Sequence, residues 1–242
     1  SVIQGGMSVR ILDRSRAKVV TVSDYSKMKQ IEYGVRQELI GVVPNGCDTQ
    51  AFSPYGPELR QDHSLVFAGH MVPYKGLDIA LRAFAIVRQH FPDATFSAYG
   101  QTLPWSNSGE HVLDPGKLDR SGFPVWRDIE NDIPGFHYCG EVTQDELASA
   151  FRRHSLLVIP SRIEETFGIV SLEAQACGCI PVLPRRGGFP ETLRDGETGY
   201  LYDDNTAEGL ATKVVELWRA NLPKVEQRVE AVEWVRNTFS WE

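Results

Sequence analysis

Hydrophobic positions along this chain follow two rhythms. Short runs rich in β-branched and aromatic residues alternate with longer segments whose apolar residues recur every three or four positions. "AKVVTVS" (17–23), "ELIGVV" (38–43), "SLVFAGH" (64–70), "ATFSAYG" (94–100), "SLLVIPS" (155–161) and "CIPVLP" (179–184) form the first class. Such short, nearly continuous apolar runs predict strands of a parallel sheet buried on both faces. Between them lie helical patterns. Ser23 or Asp24 is placed to cap a helix that Gly34 stops. "GLDIALRAFAIVRQHF" (76–91) puts Leu77, Ala80, Leu81, Phe84 and Val87 on one helical face. "DELASAFRRH" (145–154) predicts a helix capped by Thr143. A helix from about Gly168 to Ala176 stops at Gly178, and two more are predicted near 207–220 and 223–238. The alternation predicts an α/β fold: a Rossmann-like parallel sheet with helices on both faces.

Two segments interrupt the rhythm. "FSPYGPELRQD" (52–62) is rich in Pro and Gly and reads as a boundary. It divides the chain into 1–47, a linker over 48–60, and a main unit over 61–242. The polar stretch from Gln101 to Gly135 carries Trp105, Phe123 and Trp126. It is too long for an ordinary loop, so either a short helix lies near 126–131 or the stretch is a functional flap.

Composition narrows the function classes. A net charge of −7 argues against general binding to nucleic acid or an anionic membrane. No apolar run reaches the ~18 residues a membrane span requires, and no secretory signal pattern is present. A cytoplasmic protein is the expectation. The chain begins Ser-Val-Ile rather than with Met, which reads as a trimmed or partial product. Cys47, Cys139, Cys177 and Cys179 are too few for a disulfide scaffold and lack zinc-site spacing. They read as buried, reduced thiols, with no metal site expected.

Open parallel sheets bind ligands beyond the carboxyl ends of their strands. The residues following the predicted strands include Gly69, His70, Lys75, Gly100, Glu165, Gly168, Gly187 and Gly188. Lys75 and the N-terminus of the Gly168 helix suit an anion. Seven residues separate Glu165 from Glu173, so both can line a cleft at the start of that helix. Carboxylates accept paired hydroxyls well, which makes sugars and ribose natural ligands. On spacing alone, Lys75 also reads as a surface cation. Glu165 also reads as a capping acid, and Glu173 and Glu164 as solvated acids. No Gly-x-Gly-x-x-Gly follows a predicted strand, so a dinucleotide oxidoreductase is not supported.

The motifs also carry a family resemblance. They are "VVTVSDYSK", "VVPNGCDTQAFSP", "FAGHMVPYKGLDIALRAF", "GEVTQDELASAF", "LLVIPSRIEETFGIVSLEAQACGCIPV", "GGFPETLRDGETGYL" and "FSWE". In this order they cover most of residues 17–242. The chain resembles the donor-binding, C-terminal half of retaining nucleotide-sugar glycosyltransferases of the GT-B fold (family 4-like, glycosyl transferases group 1). The resemblance implies transfer of a sugar from a nucleotide-diphosphate-sugar donor to an acceptor with retention of configuration. It implies no metal and no cofactor besides the donor. The acceptor, whether sugar, lipid or small molecule, would be bound by an N-terminal domain of which 1–47 is the tail end.

The resemblance also assigns roles. Glu165 meets the donor sugar and, with Lys75, forms the catalytic set. Glu173 holds the ribose, and Lys75 binds phosphate. Thr166, Phe167, Gly168 and Ile169 present backbone N–H groups, and Gly69, His70 and Gly100 line the same site. Cys139, Gly140 and Val142 match the base pocket, and Gly187 and Gly188 match a second close turn. One departure stands out: the family usually has arginine where this chain has His70, so a fixed bidentate cation is lost. Arg162, Arg185 and Arg186 are the candidates to replace it. The last helices of the family cross back onto the N-terminal domain, so Val229, Val232 and Val235 are expected to be exposed. Two alternatives share the architecture: a nucleotide-sugar epimerase, and a nucleotide-sugar-binding module without turnover. A phosphorylase would need a pyridoxal-binding lysine motif, which the sequence lacks.

Overall fold

The structure is a computed structural model that describes residues 18–101 and 133–241. The expected helix or flap within 101–135 falls on 102–132, outside the described residues.

Two parallel sheets form. The small one pairs β1 (Val19–Thr21) with β2 (Ile40–Val42), Val19 opposite Ile40, across helix α1 (Asp24–Glu32). Ser23 caps α1, its hydroxyl accepting from the Ser26 N–H at 2.9 Å. The large sheet has six strands: β3 (Ser64–Ala68), β4 (Thr95–Tyr99), β5 (Phe136–Gly140), β6 (Leu156–Val158), β7 (Ile180–Pro184) and β8 (Tyr200–Tyr202). Their order is β5-β4-β3-β6-β7-β8, with every pairing parallel. Leu65 of β3 lies between Phe96 of β4 and Leu156 of β6. The chain builds outward from β3 to one edge, then restarts at β6 on the other side. That reversal is the switch point of a Rossmann-like sheet.

Helices α2 (Leu77–His90), α3 (Gln144–Arg153), α4 (Ile169–Ala176), α5 (Ala207–Arg219) and α6 (Val225–Phe239) cover the sheet. They pack in two groups, α2 with α5, and α4 with α3 and α6. With both faces covered, every residue of β3, β6, β7 and β8 is buried. The predicted face of α2 is buried as expected, with Ala83 added. Thr143 caps α3 through a reciprocal box, its backbone N–H donating to Glu146 Oε2 at 2.8 Å. Strands β5 and β8 carry no clear pattern of their own. β8 is only three residues long, and β5 is an edge strand with alternating exposure.

Two expectations are corrected. Val232 and Val235 are buried, at 6% and 0% exposure, because α6 packs on α4 of the same unit. Of the three valines only Val229 is exposed. Cys47, Cys177 and Cys179 are buried free thiols, but Cys139 is exposed on the edge strand.

Residues 48–60 contain no helix or strand, yet they are pinned to the main unit. Phe52 is 2% exposed within the core. Glu58 receives a fork from Arg152 at 2.7 and 3.0 Å. Arg60 donates to the Phe151 and Cys177 carbonyls, and Arg228 donates to that of Gly178 at 2.9 Å. These two arginines satisfy the carbonyl ends of α3 and α4.

His154 joins α3 to the sheet in the buried interior. Its Nδ1 donates to the Ala150 carbonyl at 2.7 Å, so Nε2 accepts from Ser97 Oγ at 3.0 Å. Burial holds its pKa down to about 4, against about 6.5 in the unfolded chain. The unfolded state therefore binds the extra proton first as pH falls. Stability is complete above pH ~6.5 and declines toward pH ~4, by on the order of 3 kcal/mol from this group. Urea unfolding across that window measures it. A His154→Gln variant should show a shallower decline, and an equal slope in both proteins would exclude His154 as the cause.

Candidate functional site

The loops that leave β3 and β6 diverge at the switch point and bound a cleft of about 520 Å³. After β3 come Gly69 and the exposed His70, followed by a 3-10 turn, Pro73–Lys75, that carries Lys75. After β6 comes the loop 159–168, which carries Glu165 and then starts α4. The loop after β6 is bound to the Lys75 turn, where the Arg162 N–H donates to the Tyr74 carbonyl at 2.7 Å, and to the start of α2. Arg162 donates to both carboxylate oxygens of Asp78 at 2.7 and 2.5 Å.

Above that contact, Lys75 Nζ lies 2.7 Å from Glu165 Oε1. The same oxygen lies 2.9 Å from Ser161 Oγ. Ser161 is held by its own carbonyl, which accepts from Asn205 Nδ2 at 2.9 Å. Glu165 Oε2 has no partner among the described residues.

The turn into α4 depends on glycine. Gly168 has φ +96°, and a Cβ there would stand 2.6 Å from the Phe189 ring. No side chain caps α4. Its first-turn N–H groups therefore face the cleft with the positive end of the helix dipole. Beneath the loop, Gly187 has φ +59°, and a Cβ there would stand 2.6 Å from the Glu165 carbonyl oxygen. Gly188 N–H donates to that same oxygen at 2.7 Å. This glycine pair supports the Glu165 loop from behind and does not line the cleft.

Glu173 lies one turn into α4, half-buried, with no hydrogen-bond partner among the described residues. Burial raises its pKa to about 7. This carboxylate is poised to accept donors that a ligand supplies.

Gly69, His70, Lys75, Gly100, Val142, Glu165, Thr166, Phe167, Gly168, Ile169 and Glu173 all line the cleft. The Phe167 ring is only 2% exposed and packs edge-on against Phe239, so this residue offers backbone to a ligand. Cys139 and Gly140 lie on β5 and do not line the cleft; the Gly140 carbonyl instead accepts from Gly100 N–H at 2.8 Å. The arginine expectations are corrected. Arg162 is spent on Asp78, and Arg185 pairs with Asp195 and Asp203 at 2.7 and 3.0 Å. Neither lines the cleft, nor does Arg186. Lys75 is the one Lys or Arg among the described lining residues.

Sequence reasoning passed over Gln101, Asn45 and Leu147, which also line the cleft, as does Glu141 of the 139–142 segment that the resemblance put at the base pocket. Gln101 follows the end of β4, so the strand-end rule covers it. Asn45 and Leu147 arrive from distant segments and give no local signal. Among the described residues, no group of three or more His, Cys, Asp or Glu could hold a metal ion. No described helix is long and apolar enough to cross a membrane.

Residues 62–220 match the family described as "Glycosyl transferases group 1". The chain is 32% identical over 206 residues to a D-inositol 3-phosphate glycosyltransferase of Pseudarthrobacter chlorophenolicus, covering 82% of this chain and 46% of that protein. It is 28% identical over 216 residues to an uncharacterized glycosyltransferase of Methanocaldococcus jannaschii, covering 89% of this chain and 53% of that one. Among solved structures it superimposes on Anabaena HepE in complex with UDP and glucose, with TM-score 0.78 at 20% identity. That match covers 97% of this chain and 62% of the other. The C-terminal domain of the glycosyl transferase group 1 protein LpcC from Francisella tularensis matches with TM-score 0.65 and 21% identity, over 81% of this chain and 100% of that domain. The chain belongs to the glycosyl transferases group 1 family, and its six-stranded unit is the C-terminal domain of a GT-B fold. It spans about half the length of the curated relatives it matches.

A Gly187→Ala substitution should push the Glu165 loop into the cleft. Unfolding experiments should show a loss of about 1–3 kcal/mol, from a strained φ and a backbone clash. A change below about 0.5 kcal/mol would show that the loop yields freely at this contact.

Proposed function

We propose that this chain is the donor-binding unit of a glycosyltransferase that moves a sugar from a nucleoside-diphosphate sugar to an acceptor with retention of configuration. One observation carries the reading: Lys75, Glu165, Glu173 and the uncapped N-terminus of α4 converge on a single cleft at the switch point. An anion and two hydroxyl-bearing groups in a row match that order of charges. The diphosphate lies against α4 and Lys75, which stabilise the negative charge that grows as the sugar departs. Glu165 accepts from sugar hydroxyls and fixes the ring. Glu173 accepts from the ribose hydroxyl pair. Val142 and Leu147 lend apolar surface to the base.

Retention rests on the family resemblance, as does placing the acceptor in the N-terminal half. Residues 18–47 supply one β-α-β piece of that half. UDP and glucose in the HepE complex support the donor class. A D-inositol 3-phosphate glycosyltransferase as relative supports a small polyol phosphate as one acceptor class to test. A cytoplasmic setting, where nucleotide-sugar donors are found, belongs to the same proposal.

Calorimetric titration of the chain with UDP, GDP and ADP tests the site. One nucleotide should saturate it, and Glu173→Gln should weaken that binding about tenfold, the loss of about one charge-assisted hydrogen-bond pair. Saturable binding with no effect of the variant would remove Glu173 from the site. In the longer enzyme, Lys75→Ala and Glu165→Ala should each slow transfer at least about a hundredfold; unchanged transfer by both would sink the reading.

The Glu173 carboxyl sets a pH dependence. With its folded pKa near 7 and its unfolded value near 4.5, the native state holds the proton longer. Its ionisation therefore reduces stability as pH rises through ~4.5 to 7, on the order of 3 kcal/mol once complete. Nucleotide-sugar binding runs the other way, because a protonated acid accepts less well. Affinity for a UDP-, GDP- or ADP-sugar, which has no phosphate group titrating near 7, should rise from pH 6 to 8. A parallel rise in Glu173→Gln would assign that dependence to another group.

A further inference from the structure

The Lys75–Glu165 pair joins two groups that the proposed donor needs separately. Lys75 Nζ makes no other hydrogen bond or ion pair among the described residues. Glu165 Oε1 takes both Lys75 and the Ser161 hydroxyl, at 2.7 and 2.9 Å. The two side chains are only 24% and 13% exposed, so the pair is less screened than one on the open surface. With histidine at position 70 and Arg162 and Arg185 engaged elsewhere, the described lining holds no second fixed cation. A diphosphate entering the cleft therefore competes with Glu165 for the Lys75 ammonium.

We infer that this ion pair discriminates the sugar-bearing donor from the spent nucleoside diphosphate; the inference rests on the donor-site reading above. Without ligand, the two charges neutralise each other. A bare diphosphate takes the ammonium and leaves Glu165 a largely buried carboxylate beside added negative charge. Only Ser161 then donates to it, and stranding a buried charge is costly. When the sugar is attached, its hydroxyls donate to Glu165 and replace the lost lysine. Once the sugar has been transferred, that replacement leaves with it. Glu165 recovers Lys75, and the diphosphate loses its cation. One exchange of partners thus favours donor entry and product release.

Titration of the whole chain with UDP, GDP and ADP, and with UDP-glucose, GDP-mannose and ADP-glucose, tests this in the wild type and in Glu165→Gln. The amide keeps the shape and removes the charge that competes for Lys75. The nucleoside diphosphate should bind the variant about three- to tenfold tighter, the scale of a partly buried ion pair. The matching nucleotide-sugar should bind equally or more weakly, so the preference for donor over product collapses. Ser161→Ala, which removes the last donor to a stranded Glu165 without removing its charge, should shift the preference the opposite way, weakening the diphosphate more than the nucleotide-sugar. It carries the test if thermal melting shows Glu165→Gln to be unfolded. Unchanged or weaker diphosphate binding in the folded variant, with normal binding by the wild type, overturns the inference and leaves the donor site standing. No nucleotide or nucleotide-sugar binding by the wild type overturns both.

Discussion

The pairing of β3 with β6 is the constraint on which the rest depends. The two strands are neighbours in space but lie on opposite sides of the reversal in strand order. Their outgoing loops therefore turn away from each other and leave a gap between them. A parallel sheet with covered faces leaves its carboxyl edge as the natural place for a ligand. Here the gap receives the Lys75 turn from one side and the Glu165 loop with α4 from the other.

The two loops need separate support to stay in place. The Arg162–Asp78 fork ties the Glu165 loop to the start of α2, just after the Lys75 turn. The Gly187–Gly188 turn lets the Glu165 loop settle on bare backbone, at a distance no larger residue allows. The first helix joins this support. Ser23 Oγ donates to the Thr166 carbonyl at 2.5 Å, while the Asp24 and Tyr25 N–H groups both donate to Glu191 at 2.8 Å. The β1-α1-β2 piece thus docks on the back of the loop that presents Glu165. The cleft is preorganised by backbone contacts more than by side-chain packing. Among the described residues Glu173 is left without a hydrogen-bond partner, and Lys75 pairs only with Glu165.

Much of this was legible along the chain. Continuous apolar runs and period-3.6 patterns are local properties, so four of the six main strands and all six described helices could be read near their observed bounds. Thr143 with Glu146, and Ser23 ahead of α1, were readable because capping acts within one turn of backbone. The chemistry was also local in part. Gly168 at a helix start, with glutamates at 165 and 173, marks an anion and hydroxyl site by residue type and spacing. β5 and β8 were not legible, since three buried residues or an alternating edge strand resemble loop. The exposure expected for Val232 and Val235 failed because α6 finds its partner within the same unit, on α4.

By itself the sequence determined the element order, the buried face of α2, and the residue types around the future cleft. Each follows from interactions spanning a few residues. The tertiary structure decided which charges meet. Arg162, a candidate for the cleft, is turned to Asp78 because the chain between them folds back through the sheet. Lys75 reaches Glu165 across 90 residues because β3 and β6 are adjacent. Asn45 and Leu147 enter the same cleft from segments that share no local pattern with it. Contacts of that range depend on strand order, and strand order is a property of the whole sheet.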